Sequence, residues 1–274
     1  MKHDPRTTLW RDGIAAVSLS GVMAAEVYLE TRVLACIAPA TAIRAAPDNA
    51  SEQMDQLLFG ERFEVLEEEG AWLFGQASRD GYVGFVEAAA LAVGIAAPTH
   101  RIAAIRTYAF ADASIKARAS GPYSINALVT VDALDGKLAK VGGAGWMTAA
   151  HLAPIGSVED DWAGVAERFL GAPYLWGGRE SLGADCSGLV QQALFACGRA
   201  CPRDADQQEQ LGVAIAADDF ERGDLVFWKG HVAIGLGDGK IIHANGHHMA
   251  TAIEPLADAV ERIGQDGPTS YRRV

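Results

Sequence analysis

The hydrophobic period of this chain changes at Pro154, and that change sets what each part can fold into. From about Val33 to Pro154 the apolar residues come in short runs between turn signals, with little sustained helical spacing, as in small all-β modules. After Pro154 the spacing turns helical: Trp162, Val165, Ala166 and Leu170 follow a Ser157/Asp160 capping pair and end at Gly171 and Pro173. A second helix is expected after Asp185, with Leu189, Val190, Ala193, Leu194 and a buried, inert Cys197 on its apolar face and Gly198 as its stop. A third begins at Asp204, whose side chain can cap a turn running through Gln207 toward Leu211. Strand grammar then returns in Asp224-Leu-Val-Phe-Trp228, His231-Val-Ala-Ile-Gly-Leu236 and Lys240-Ile-Ile-His-Ala244. Helices first and an antiparallel sheet afterwards make this part an α+β domain.

The β-rich part looks duplicated. Gly84-Phe-Val-Glu-Ala-Ala-Ala-Leu91 is echoed by Gly145-Trp-Met-Thr-Ala-Ala-His-Leu152, each after a strand-turn-strand passage, Phe63 to Phe74 and Ala127 to Val141. The 274 residues therefore divide into an N-terminal segment (1–30) without a readable pattern, two small β-modules (31–97 and 98–155) and the α+β domain (156–274).

Composition narrows the function classes. Half the residues are hydrophobic, which suits a globular protein with real cores, and a formal net charge of -12 lacks the basic footprint that nucleic acid requires. Cys36, Cys186, Cys197 and Cys201 are too few and too scattered for a disulfide framework, and Cys197-Gly-Arg-Ala-Cys201 lacks the second ligand pair of a zinc site. The apolar stretch from Ile14 to Ala25 is broken by Ser18, Ser20 and Gly21 and makes a poor secretory segment. No stretch reaches the ~20 apolar residues that cross a bilayer. The expectation is a cytoplasmic protein with no membrane and no nucleic-acid partner.

Chemistry concentrates at Cys186. A thiol at the start of a helix meets unpaired N–H groups and the positive end of the dipole, which favour its thiolate. The neighbours in Asp185-Cys186-Ser187-Gly188 are small enough for a substrate to approach. A base must come from elsewhere in the chain, and His231 opens one strand while His243 lies near the end of the next. If Gly237-Asp238-Gly239 is a three-residue loop, Leu236 pairs with Lys240 and His243 falls opposite Ala233, so both histidines share one face. A two-residue Asp238-Gly239 loop would put them on opposite faces. Taken alone, these residues also fit a structural thiol and a surface histidine pair. His247 and His248 add nitrogens nearby, but no Asp or Glu recurs at the helical spacing of zinc hydrolases, so neither metal nor cofactor is expected.

Together the motifs resemble those of the NlpC-type cell-wall peptidases, which are papain-like cysteine hydrolases. They are Gly171-Ala-Pro-Tyr-Leu-Trp-Gly-Gly178, Asp185-Cys-Ser-Gly-Leu-Val190, Gly223-Asp-Leu-Val-Phe227, Gly230-His-Val-Ala-Ile234 and Ile242-His-Ala244. The first β-module resembles bacterial SH3-like domains through Ile43-Arg-Ala-Ala-Pro47, Glu61-Arg-Phe-Glu-Val-Leu66 and Asp80-Gly-Tyr-Val-Gly-Phe-Val86; the second is similar mainly at Gly145-Trp-Met147. The fold implied is two SH3-like barrels followed by a papain-like α+β peptidase domain. The resemblance implies Cys186 as nucleophile, His231 as base and His243 as the third polar residue. It further implies hydrolysis of the bond between γ-linked D-glutamate and a diamino acid, diaminopimelate or lysine, in murein stem peptides with a free N-terminal L-alanine.

On that reading the partners are stem peptides and the process is cell-wall recycling. Asp185 would pair with the substrate ammonium and Tyr82 would join it from the first module; a plain helix cap and a barrel core are the alternative readings of these two residues. Tyr174 would lend its hydroxyl near the scissile carbonyl, and Ser187 would bind the glutamate α-carboxylate. The competing readings are an exported hydrolase of intact wall anchored by its SH3-like modules, an amidase or acyltransferase, and a non-catalytic wall-binding protein.

Overall fold

The computed structural model describes residues 3–94, 96–263 and 267–274. It forms two compact units, Met1–Ile155 and Gly156–Val274. Among the described residues no helix is long and apolar enough to cross a membrane.

In the first unit a seven-stranded sheet runs in the order Leu91–Ala92, Arg32–Cys36, Arg62–Glu69, Trp72–Ala77, Val83–Glu87, Ala40–Arg44, Gln53–Leu58. Its strands are apolar on both faces. Leu34, Ile43, Leu57, Phe63, Val65, Leu73 and Val86 fill one core, while Leu66, Trp72, Phe74, Val83 and Phe85 on the opposite side are covered by Leu9, Ile14, Ala16 and Leu29. The N-terminal segment is thus a three-stranded sheet, Trp10–Arg11, Ile14–Ala16 and Val27–Leu29, held by surface that the first module would otherwise expose.

The second module splits into a five-stranded sheet, ordered Ala119–Ser124, Arg106–Phe110, Gly145–Thr148, Leu138–Val141, Val131–Asp135, and a three-stranded one, Leu128–Val129, His100–Ile102, Leu152–Pro154. Both modules close on the same sequence of elements. Val83–Glu87, a 3-10 turn Ala88–Ala90 and Leu91–Ala92 correspond to Gly145–Thr148, a 3-10 turn Ala149–His151 and Leu152–Pro154. Leu58 and Phe59 of the first module sit in the core of the second with Ile102, Tyr123, Val141 and Met147. Phe59 meets Tyr123 edge-on at 5.2 Å. Gly60, with φ +78°, allows this approach, because a Cβ there would lie 2.0 Å from the Leu128 carbonyl oxygen.

The second unit is built on a six-stranded sheet in the order Val213–Ala214, Ser270–Arg273, Asp224–Trp228, His231–Gly237, Lys240–Asn245, Ala250–Pro255. Helix Cys186–Ala196 packs on its central strands, and every one of its residues is buried, not only the apolar face that the spacing marks. Cys197 is the C-cap and only partly buried, a correction to the expected fully buried position. The preceding helix, Trp162–Glu167, is capped by Asp161, which accepts from the Gly164 N–H, and not by the Ser157/Asp160 pair. It ends before Leu170, which is exposed. Helix Ala205–Gln208 carries an Asp204/Gln207 capping box and stops short of Leu211. A further helix, Leu256–Ile263, was not expected; Pro255 just ahead of it and the spacing of Leu256, Ala259 and Val260 are its signals.

The hairpin that positions the histidines differs from expectation at its tip. Asp238 and Gly239 both have positive φ, 49° and 66°, and Gly237 pairs with Lys240 around a two-residue turn. A bulge between Gly235 and Gly237 then takes up Leu236, so Ile234 still lies opposite Ile242. Continuing that register sets Ala233 opposite His243, the register expected from the longer loop.

Candidate active site

Asp185 caps the helix that begins at Cys186. Its carboxylate accepts from the Gly188 N–H at 2.7 Å and from the Gly177 N–H at 2.9 Å. Arg203 grips both carboxylate oxygens at 3.0 and 2.6 Å and also donates to Ser187 Oγ at 2.8 Å, while Ser187 Oγ–H reaches Asp185 at 3.2 Å. Asp185 is 6% exposed and Arg203 1%. This is a buried, bidentate ion pair that fixes the helix start. Gly188 permits the close packing, since a Cβ there would stand 2.2 Å from the Gly178 carbonyl oxygen.

Asp185 and Ser187 thus hold the helix cap together with Arg203. Tyr82 lies in the apolar core of the first module, 2% exposed. Tyr174 is half-buried, and its backbone bridges to Ala184 just ahead of the helix. Burial, then the neighbouring Cys186 and Asp185, push its hydroxyl up to about 12, so it remains a hydrogen-bond donor through the neutral range.

The Cys186 thiol is buried beneath the strand that starts at His231, with the Val232 N–H against its sulfur. Burial pushes its pKa up to about 12; the Asp185 charge adds to this, and the Val232 and Ser187 N–H groups and Arg203 oppose it. The helix start alone favoured a thiolate, but here desolvation is the larger effect, and the resting group is a thiol.

His231, His243 and Glu254 occupy three adjacent strands on one sheet face. His231 Nε2 is 2.8 Å from His243 Nδ1, and His243 Nε2 is 2.6 Å from Glu254 Oε1. Arg262, from helix Leu256–Ile263, donates to both Glu254 oxygens, Nη1 to Oε2 at 2.6 Å. Trp228 shields His231 with ring centres 5.8 Å apart. Burial, then the positive charge His243 would carry, push His231 down to about 3. Burial also lowers His243, against the pull of Glu254. The Arg262 guanidinium foremost, with His243, holds Glu254 down to about 2. Both imidazoles are thus neutral at rest, and Glu254 is ionised.

Glu254 and Arg262 were missed in the sequence because Ala250-Thr-Ala-Ile-Glu-Pro255 reads as only a weak strand; the alternation that places Glu254 on the face of His243 was the available signal. His243, His248 and Glu254 offer ligand atoms within 4.8 Å of one another. A cation there would have to displace the Arg262 guanidinium and break the His243 hydrogen bonds, so the cluster suits proton positioning better than metal binding.

A thiol at a helix start, joined by the fold to a hydrogen-bonded imidazole chain on a neighbouring sheet, defines the class of papain-like cysteine hydrolases. The profile of the NlpC/P60 family matches residues 171–260, and that of the bacterial dipeptidyl-peptidase Sh3 domain matches residues 43–91. A gamma-D-glutamyl-L-lysine dipeptidyl-peptidase of Bacillus subtilis is 30% identical over 226 residues, 75% of this chain and 76% of that protein. A protein of the same name from Bacillus cereus is 37% identical over 105 residues, 35% of this chain and 32% of the relative, so this second match spans about a third of the relative's length. The crystal structure of an NlpC/P60 family protein from Bacillus cereus shares the fold, with a TM-score of 0.76 at 20% identity over 88% of this chain and 99% of that one. The chain belongs to the NlpC/P60 family of cysteine peptidases and carries a bacterial SH3 domain ahead of the peptidase domain.

Proposed function

We propose that this protein is a thiol endopeptidase that cleaves the γ-D-glutamyl–diamino acid bond of murein stem peptides bearing a free N-terminal L-alanine, as an enzyme of cell-wall recycling. The observation that carries the chemistry is the Glu254–His243–His231 hydrogen-bond chain on the sheet beside the Cys186 helix start. The name of the Bacillus subtilis relative, aligned over three quarters of both chains, supports the choice of bond. We read the second module as SH3-like from the element order it shares with the first.

In this mechanism His231 Nδ1 takes the thiol proton as Cys186 Sγ attacks the γ-glutamyl carbonyl, forming a C–S bond and a tetrahedral oxyanion. Starting from a neutral thiol and a neutral imidazole, the proton moves with the attack. The Cys186 N–H at the helix start and the Tyr174 hydroxyl are the donors assigned to the oxyanion. The imidazolium then protonates the departing amine, and water, deprotonated by His231, hydrolyses the thioester.

The test is mass spectrometry of products from L-Ala-γ-D-Glu-diaminopimelate, its lysine counterpart and the same peptides acetylated at the N-terminus, with the protein and its Cys186→Ala variant. Cleavage by the intact protein alone, restricted to free amines, is the expected result. Equal cleavage of acetylated peptides would remove the amine requirement and favour a hydrolase of intact wall. No cleavage of any peptide would show the substrate assignment to be wrong.

A further inference from the structure

We propose that Glu254, clamped by Arg262, is a positioning residue that sets the tautomers of both histidines, so that His231 presents a bare Nδ1 as the basic nitrogen. The inference rests on the reading of Cys186 and His231 as the reacting pair.

The hydrogen bonds leave one consistent arrangement of protons. An ionised carboxylate only accepts, so the 2.6 Å contact from His243 Nε2 to Glu254 Oε1 requires the proton on Nε2. A neutral His243 then has a bare Nδ1, which accepts from His231 Nε2 at 2.8 Å. The proton of neutral His231 is therefore on Nε2, and its Nδ1 is the free base. The opposite assignment, with the His243 proton on Nδ1, would set two lone pairs against each other at the Glu254 contact, where His243 is fully buried. Glu254 lies two strands from His231 and acts on it only through His243, so it touches no reacting atom.

Arg262 completes the device by opposing the carboxylate's charge. Besides His243 and Arg262, the charged and titratable groups around this point are His231, His248 from the loop before the Ala250–Pro255 strand, and Asp258 on the helix of Arg262. Glu254 favours the charged form of the histidines, and Arg262 disfavours it. The pair thus fixes the tautomer while preventing the carboxylate from holding either imidazole protonated at rest.

The tautomers are read by 15N NMR of the histidine rings in the full chain carrying Cys186→Ala, which needs no substrate. Both rings should be Nε2-protonated with Glu254 present, and adding Glu254→Ala should produce a mixture; an Nδ1-protonated His231 in the parent, or unchanged tautomers in the variant, overturns the proposal. In the protein with Cys186 intact, alkylation of that thiol by iodoacetamide is followed across pH by mass spectrometry of its peptide. The acid limb should move to lower pH in Glu254→Gln and to higher pH in Arg262→Gln, and shifts of the same sign or none would also overturn it. Those two variants carry the test if Glu254→Ala does not fold. For stem-peptide hydrolysis, Glu254→Ala should lower kcat by ~10² with KM little changed. Correct tautomers with no peptide cleavage would sink the substrate assignment while leaving this inference standing.

Discussion

Replacing Arg203 by methionine should destabilise the C-terminal unit by about 3 kcal/mol, the low end of the ~3–5 kcal/mol for removing one partner of a buried ion pair. The size follows from what Asp185 keeps. It loses both guanidinium contacts, at 3.0 and 2.6 Å, but retains the Gly177 and Gly188 N–H groups and the Ser187 hydroxyl. At a urea m-value of ~2 kcal/mol/M, the midpoint falls by about 1.5 M. The transition is best read by hydrogen exchange of the peptide spanning Cys186–Ala196, which reports this unit and not the β-modules. Asp185→Asn leaves the guanidinium buried without its charge partner and should cost about as much. The double variant carries neither charge, and should cost about 3 kcal/mol in place of the roughly 6 expected from addition. A cost below about 1 kcal/mol for Arg203→Met, or simple additivity in the double variant, would refute the assignment of Asp185 to this pair.

Stability should fall as pH drops from about 6.5 toward 3: His231, lowered to about 3, and His243, also lowered, stay neutral in the folded chain while their unfolded forms bind protons below 6.5. Glu254, lowered from 4.5 to about 2, adds to the loss over that lower window, and urea midpoints that stay flat from pH 7 to 3 would contradict this account. Deleting Leu236 should remove the bulge yet keep Gly237 opposite Lys240 and Ile234 opposite Ile242, preserving the His231–His243 bond and peptide cleavage. A folded deletion variant without activity would show that the bulge does more than absorb one residue.

Much of the site was legible because its signals are local. The switch of hydrophobic period at Pro154 separates the two units, and an Asp followed by small residues marks the helix start at Cys186. The common face of His231 and His243 follows from strand alternation, although the turn is shorter than expected and a bulge restores the register. What escaped depends on partners distant in the chain. Nothing near Asp185 announces Arg203, and nothing near His243 announces Arg262. The strands before Thr31 owe their order to the outer face of Trp72, Phe74 and Phe85, which exists only once the first sheet has formed. The upward push on the Cys186 thiol was not legible for a related reason, since burial is set by the whole fold and here outweighs the helix start.

The placement of Leu58 and Phe59 inside the second module bears on how such chains can be cut and rejoined. The repeated sequence suggests two interchangeable parts, yet residues 98–155 expressed alone would lack two of the side chains that fill their interior. A recombination point between the repeats would expose Leu58 and Phe59 on one fragment and hollow out the other. The pair should therefore unfold as one cooperative block. A transplant of these modules onto another enzyme should take both together.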